Sequence, residues 1–182
     1  MATVILSSMK PTRNLLICSL LACFMCAAQI SPSDQVFSKL VPALLHKTSV
    51  PLRLPTHIPG LEKGNFHAIV NSADETRYII VLGATLDCEG QHVCSYGALI
   101  GTAHPLKDLD FYGVSKRKAS SVRLHHGING DFYDTICAAY CSDSLIVWTE
   151  GKYHYIVGLK AGSKPNVIRT ANSAIDAADR WK

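Results

Sequence analysis

Four cysteines fall in two close pairs, Cys88 with Cys94 and Cys137 with Cys141, spaced Cys-x5-Cys and Cys-x3-Cys. Four such ligands suit tetrahedral zinc in number, but zinc knuckles place roughly two to four residues between cysteines and the first pair is too wide. Neither pair has the Cys-x-x-Cys spacing that supports redox exchange. In an oxidising compartment close pairs become disulfides. We therefore expect two local disulfides, one clamping the loop CEGQHVC and one forcing a tight turn around Ala138, Ala139 and Tyr140. That turn is not regular helix, because cysteines at i and i+4 have nearly parallel Cα–Cβ vectors. No metal site and no cofactor is expected.

The other residues able to do chemistry are His125 and His126, with Asp131 and Asp134 just beyond a turn. A hydrolase would use one imidazole as general base and Asp131 as its orienter. Adjacent strand residues point to opposite faces, so the two imidazoles share a site only if the backbone bulges. Ser120 and Ser121 lack the Gly-x-Ser-x-Gly elbow of a nucleophilic serine. We read both histidines as hairpin-edge residues and keep the hydrolase as the alternative. His92 reads as a solvent-facing loop residue, and His154 as packed against Val147 with its tip satisfied. The run SKRKASS (115–121) reads as a solvated loop before a strand, with contact to an acidic polymer as the alternative.

These groups hang on a strand-rich chain. RYIIVLGATL (77–86) and CSYGALIGTA (94–103) form one hairpin, and SSVRLHHGINGDFYD, ending at Asp134, a second that turns near Gly127–Gly130. LIVWTEGKYHYIVGLK (145–160) is the third. With Glu150-Gly151 as its turn, Trp148 faces Tyr153 and Ile146 faces Tyr155. Both faces of this hairpin are apolar, so it belongs inside the sheet with cover on each side. Before the strands, Ser33 or Asp34 can cap a short helix that Pro42 kinks or ends near Val41. Prolines 51, 55 and 59 then hold an extended stretch along the surface or at a sheet edge. After the strands, Ser163 and Pro165 open a helix whose stripe of Val167, Ile168, Ala171, Ala174, Ile175 and Ala178 packs on one face of the sheet.

The chain opens with Lys10 and Arg13, then the apolar run LLICSLLACFM (15–25), then the small residues CAA (26–28). That order reads as a secretory signal peptide over residues 1–28, too short to span a membrane. A lipoprotein anchored at Cys23 is the alternative, suggested by LLAC (20–23). Cleavage after Ala28 leaves an even set of four cysteines, which favours the soluble form. Residues 29–182 then make a single domain long enough to bury a core. Loss of Lys10 and Arg13 takes the formal charge from +4 to +2. Such a balance points to no nucleic-acid partner and no anionic membrane.

VPLRLPTHIP, RYIIVLG, the stretch from GINGDFYD through CAAYCSDSLIVWTEGKYHYIVGLK, and VIRTANSAI follow one pattern over roughly Lys47 to Asp176. The pattern resembles an uncharacterised group of exported bacterial proteins, frequent in cyanobacteria. These are similar in turn to the extracytoplasmic domain of some anti-sigma-factor-like proteins and sporulation lipoproteins. The resemblance implies an α+β fold with a curved antiparallel sheet and a packed helix, and it carries no catalytic residues over.

The expectation is thus an exported α+β domain, periplasmic or extracellular: a curved antiparallel sheet built from hairpins, a C-terminal helix on one face and a short N-terminal helix. Its expected role is non-enzymatic binding or scaffolding of a protein or cell-envelope ligand. The expected ligand face carries Trp148, Tyr153 and Tyr155, opposite the C-terminal helix. An inhibitor of a secreted enzyme, using the disulfide-clamped loops, is a further alternative.

Overall fold

A computed structural model describes residues 31–62, 66–105 and 114–182. The expected leader and Cys23 lie outside the described residues. Seven strands form one open antiparallel sheet: β1 (His67–Asp74), β2 (Arg77–Gly83), β3 (Ser95–Thr102), β4 (Ala119–Arg123), β5 (Asn129–Tyr133), β6 (Asp143–Glu150) and β7 (Tyr153–Lys160). Their spatial order is β1-β2-β3-β7-β6-β5-β4, so the last hairpin is inserted between the first three strands and the second hairpin. With the helices described below, the fold is α+β.

All three hairpins expected from the sequence form, with one register corrected. Gly151 and Lys152, not Glu150 and Gly151, make the β6–β7 turn, so Trp148 pairs with Tyr155 and Ile146 with Val157. Gly151 takes φ +60°, the backbone that a primed hairpin turn requires at its first central position. The correction moves the pairing by two residues, so each side chain keeps its face. β1 carried no strong sequence signal. A bulge between Val70 and Ser72 interrupts the alternation of HAIVNSAD, and the strand lies at the sheet edge.

One face of the sheet carries Tyr78, Ile80, Leu82, Leu99, Phe132, Ile146, Trp148, Tyr155 and Val157. Three segments cover it. The first comprises two short helices, α1 (Pro32–Ser38) and α2 (Val41–Leu45). Ser31, rather than Ser33 or Asp34, caps α1, its side chain accepting from the Asp34 N–H while Asp34 accepts from the Ser31 N–H. Pro42 stands in the first turn of α2, where its missing N–H costs no hydrogen bond, so the chain breaks and restarts there.

The second cover is the proline-rich stretch. It is extended, as its prolines require, but it is not a surface segment: Val50, Leu52, Leu54 and Ile58 are all buried. Alternate residues point into the core while Arg53 and Thr56 bond to neighbouring elements. The third cover is α3 (Lys164–Asp176), which buries Val167, Ala171, Ala174 and Ile175 on this face. A single 3-10 turn, Ala178–Trp181, follows it and buries Trp181, whose Nε1 donates to the Leu54 carbonyl at 2.7 Å.

The opposite face of the central strands is also apolar. Ile100, Leu145, Val147 and Ile156 are buried there, with Ile79, Val114 and Tyr133 packed around them. Burying both faces fits the continuous apolar runs of β6 and β7.

Candidate functional site: a groove on the open sheet face

β2 presents Ile79 and Val81, and β3 presents Ala98, to the face that α3 leaves uncovered, and the Gly97 backbone also lines this side. These residues floor a groove of about 560 Å3. Arg77 marks one end, and Asn71, in the β1 bulge opposite Ile79 and Ile80, stands beside the floor. Roughly 13 Å along β2, at about 3.3 Å per residue from Arg77 to Val81, the other end is closed by Asp143, Lys160, Arg117 and the loop carrying Glu89, Gly90 and His92.

The two disulfides build that closed end. Cys88 bonds Cys94 and Cys137 bonds Cys141, with S–S distances of 2.11 and 2.08 Å. The first clamps the β2–β3 loop and buries Cys88, and Gly90, with φ +87°, lies over Val81. The second closes a tight non-helical turn in which the Ser142 N–H donates to the Ile136 carbonyl at 2.9 Å. The turns meet where the His92 and Tyr140 rings stack with centroids 5.9 Å apart. Lys160 Nζ donates to the His92 carbonyl, fixing the loop to β7.

Arg117 comes from the basic run that the sequence assigned to solvent. Lys116 and Lys118 are exposed as expected, but Arg117 turns inward. Its Nη2 donates to the main-chain carbonyls of Tyr133 at 3.1 Å and Asp143 at 2.8 Å, and also to that of Asp134. Burial lowers its pKa against the pull of Asp143 and Asp134. Asp143 shifts the other way from the carboxylate norm: burial raises its pKa, outweighing His92, Arg117 and Lys160. A half-buried carboxyl, two cations and an imidazole thus converge on one end of an apolar channel.

The residues singled out from sequence lie elsewhere. Trp148 and Tyr155 are buried on the face that α3 covers, not opposite it, and Tyr153 is half-buried beside them. Trp148 and Tyr155 stack at 5.4 Å and Trp148 Nε1 donates to Glu150 at 2.8 Å, so these rings pack into the core on that face. The groove itself does lie opposite the C-terminal helix, but its floor is aliphatic.

The pairing of His125 or His126 with Asp131 does not form. Asp131 shares a face with Val147, the face turned away from α3. The β4–β5 connection is a 3-10 turn, His125–Gly127, in which His126 takes φ 53°. This non-strand turn puts both imidazoles on one carboxylate of α3. His125 Nδ1 lies 2.8 Å and His126 Nε2 3.0 Å from the Asp176 oxygens. The His125 N–H also donates to Asn172 Oδ1 at 2.9 Å. All three side chains are about half exposed or more, and the arrangement ties the turn to the helix. No cluster of histidine, cysteine or acidic residues able to hold a metal occurs among the described residues. The His154 tip is satisfied, as expected, at 2.8 Å by Thr149 Oγ1, and its directly opposite residue is Thr149 while Val147 lies diagonally on the same face.

Comparison with known proteins finds no matching family model, no matching curated protein and no matching solved structure. No helix among the described residues is long and apolar enough to cross a membrane.

Proposed function

We propose that this protein is an exported, non-enzymatic binding domain that receives a small ligand in the groove opposite α3. The observation that carries the reading is the groove: a concave, apolar-floored channel with a few polar groups held in place at its closed end. That combination is what ligand sites require, an apolar body for affinity and fixed polar groups for orientation. The two disulfides and the sequence-read leader support export. Export of this kind agrees with the resemblance to exported bacterial domains.

The test is a ligand screen on the disulfide-intact protein, read by amide chemical shifts, in parallel with Ala98→Phe, which fills the channel. Hits that move the amides of Ile79, Val81 and Lys160, and vanish in the folded Ala98→Phe protein, support the reading. Hits that map elsewhere, or survive the filling, overturn it.

A second reading, inhibition of a secreted enzyme, is favoured by the clamped loop itself. Leu86, just before Cys88, and Val93, inside the Cys88–Cys94 loop, are 74% and 88% exposed. Apolar side chains held out on a rigid loop suit insertion into a partner's pocket. Pull-down of a secreted hydrolase by the native protein, lost in Val93→Ser, supports it; capture unchanged by that substitution overturns it.

A further inference from the structure

The charge of the groove narrows its ligand. Three permanent cations line it, Arg77, Arg117 and Lys160, against Glu89 and Asp143. Both carboxylates stand at the closed end with Arg117 and Lys160, Glu89 on its exposed loop and Asp143 half-buried. Among the described residues neither Arg117 nor Lys160 has a carboxylate oxygen at ion-pair distance, while Arg77 reaches Asp74 only at 3.7 Å. Arg77 and Arg117 each keep a buried Nε–H without an acceptor among the described residues. A buried donor left unpaired costs free energy that an incoming acceptor relieves.

Arg117 is also preorganised. Its Nη2 is anchored to main-chain carbonyls of β5, β6 and the connection between them, so ordering the guanidinium has already been met in folding. Fixed guanidinium groups recognise carboxylate and phosphate oxygens. Between the two arginines the floor is Ile79, Val81 and Ala98, which offers nothing to a polar body.

Resting on the groove reading above, we infer that the ligand is an amphiphilic anion: an apolar chain lying along Ile79, Val81 and Ala98, with a carboxylate or phosphate head held at the end formed by Arg117 and Lys160.

The test uses four probes sharing a decyl chain (decanoate, decyl phosphate, decanol and decyltrimethylammonium), titrated below micelle formation into the disulfide-intact protein and followed by calorimetry and amide shifts. The two anions are expected to bind with shifts at Val81, Ala98 and Lys160, the tighter one showing whether the head is carboxylate or phosphate. Lys160→Gln should weaken both by about tenfold, the size of one charge-assisted contact, and leave decanol unchanged. Decanol or the cation binding in the groove as tightly as the anions overturns the anionic class but leaves the groove reading standing. Acetate or inorganic phosphate binding as tightly as the decyl anions overturns the apolar chain. Silence of the groove amides with all four probes overturns the inference, and the Ala98→Phe screen then decides separately whether the groove binds anything. Arg77→Gln, roughly 13 Å away at the opposite end of the groove, is the control: it should weaken the anions clearly less than Lys160→Gln does, and an equal loss overturns the assignment of the head to the Arg117–Lys160 end.

Discussion

Arg53 and Glu150, 97 residues apart in the chain, meet through two parallel hydrogen bonds, Nε to Oε1 at 2.9 Å and Nη2 to Oε2 at 2.6 Å. The pair joins the proline-rich cover to the tip of the central hairpin. Its surroundings complete it: Trp148 Nε1 donates to Glu150, the Arg53 N–H donates to the Tyr78 hydroxyl at 3.0 Å, and the guanidinium lies 5.4 Å from the Tyr155 ring centroid. Both side chains are mostly withdrawn from water, 14% and 23% exposed. Removing one partner therefore strands a charge in poor solvent.

Arg53→Met should destabilise the fold by about 2–3 kcal/mol, toward the lower end for a broken buried pair because some water reaches it. Adding Glu150→Gln to Arg53→Met should restore part of the loss, since no charge is then left stranded. Urea unfolding midpoints of the two variants and the parent measure both effects. A double variant no more stable than Arg53→Met would show that contact area, not charge, holds the strap.

The two groove-side and core-side carboxyls predict opposite pH behaviour. For Glu150, burial alone would raise the pKa, but hydrogen bonds from Arg53 and Trp148 outweigh it and the net direction is down from 4.5. A depressed carboxylate stabilises the fold above its unfolded pKa and loses that contribution as pH falls through its folded value. Asp143 is raised, so its ionisation works against the fold: stability falls as pH rises from 3.8 through the folded value. Asp143→Asn should therefore raise the melting temperature at pH 7 and not at pH 3. Glu150→Gln should lower it at pH 7, with the difference shrinking in acid.

Two core tyrosines should respond oppositely to loss of their hydroxyls. The Tyr78 hydroxyl accepts the Arg53 N–H, so Tyr78→Phe leaves a buried donor unpaired and should cost about 1–2 kcal/mol. The Tyr155 hydroxyl is buried with no partner among the described residues. Tyr155→Phe should be neutral or stabilising by up to about 1 kcal/mol, because the phenol no longer carries an unsatisfied group. Thermal unfolding of the two variants side by side checks the contrast.

The disulfides close short loops, with sequence separations of 6 and 4. Chain-entropy arguments give about 2 kcal/mol for each. Cys88→Ser with Cys94→Ser should cost that much and also loosen the groove's closed end, since the same loop carries Glu89, Gly90 and His92. Cys137→Ser with Cys141→Ser should cost a similar amount and free the Tyr140 ring from His92. Intact mass with alkylation should show the thiols of Cys88, Cys94, Cys137 and Cys141 appearing only on reduction.

What the sequence by itself determined was local. The β2–β3, β4–β5 and β6–β7 hairpins were readable because turn and strands lie within a few residues of each other, and each disulfide because its cysteines close a short loop. The apolar stripe of α3 was legible for the same reason: its period needs only neighbours along the helix. Tertiary structure decided everything that depends on distant partners. The pairing of β3 with β7, the burial of Val50, Leu52, Leu54 and Ile58, and the docking of Asp176 against His125 and His126 leave no mark in local pattern. Arg117 is the sharpest instance. Within Lys116-Arg117-Lys118 nothing distinguishes the middle cation, and only the carbonyls at Tyr133, Asp134 and Asp143, brought together by the sheet, turn it into the groove. A charged side chain enters a partly dry site when acceptors are assembled to receive it, and that assembly exists only once the strands have paired.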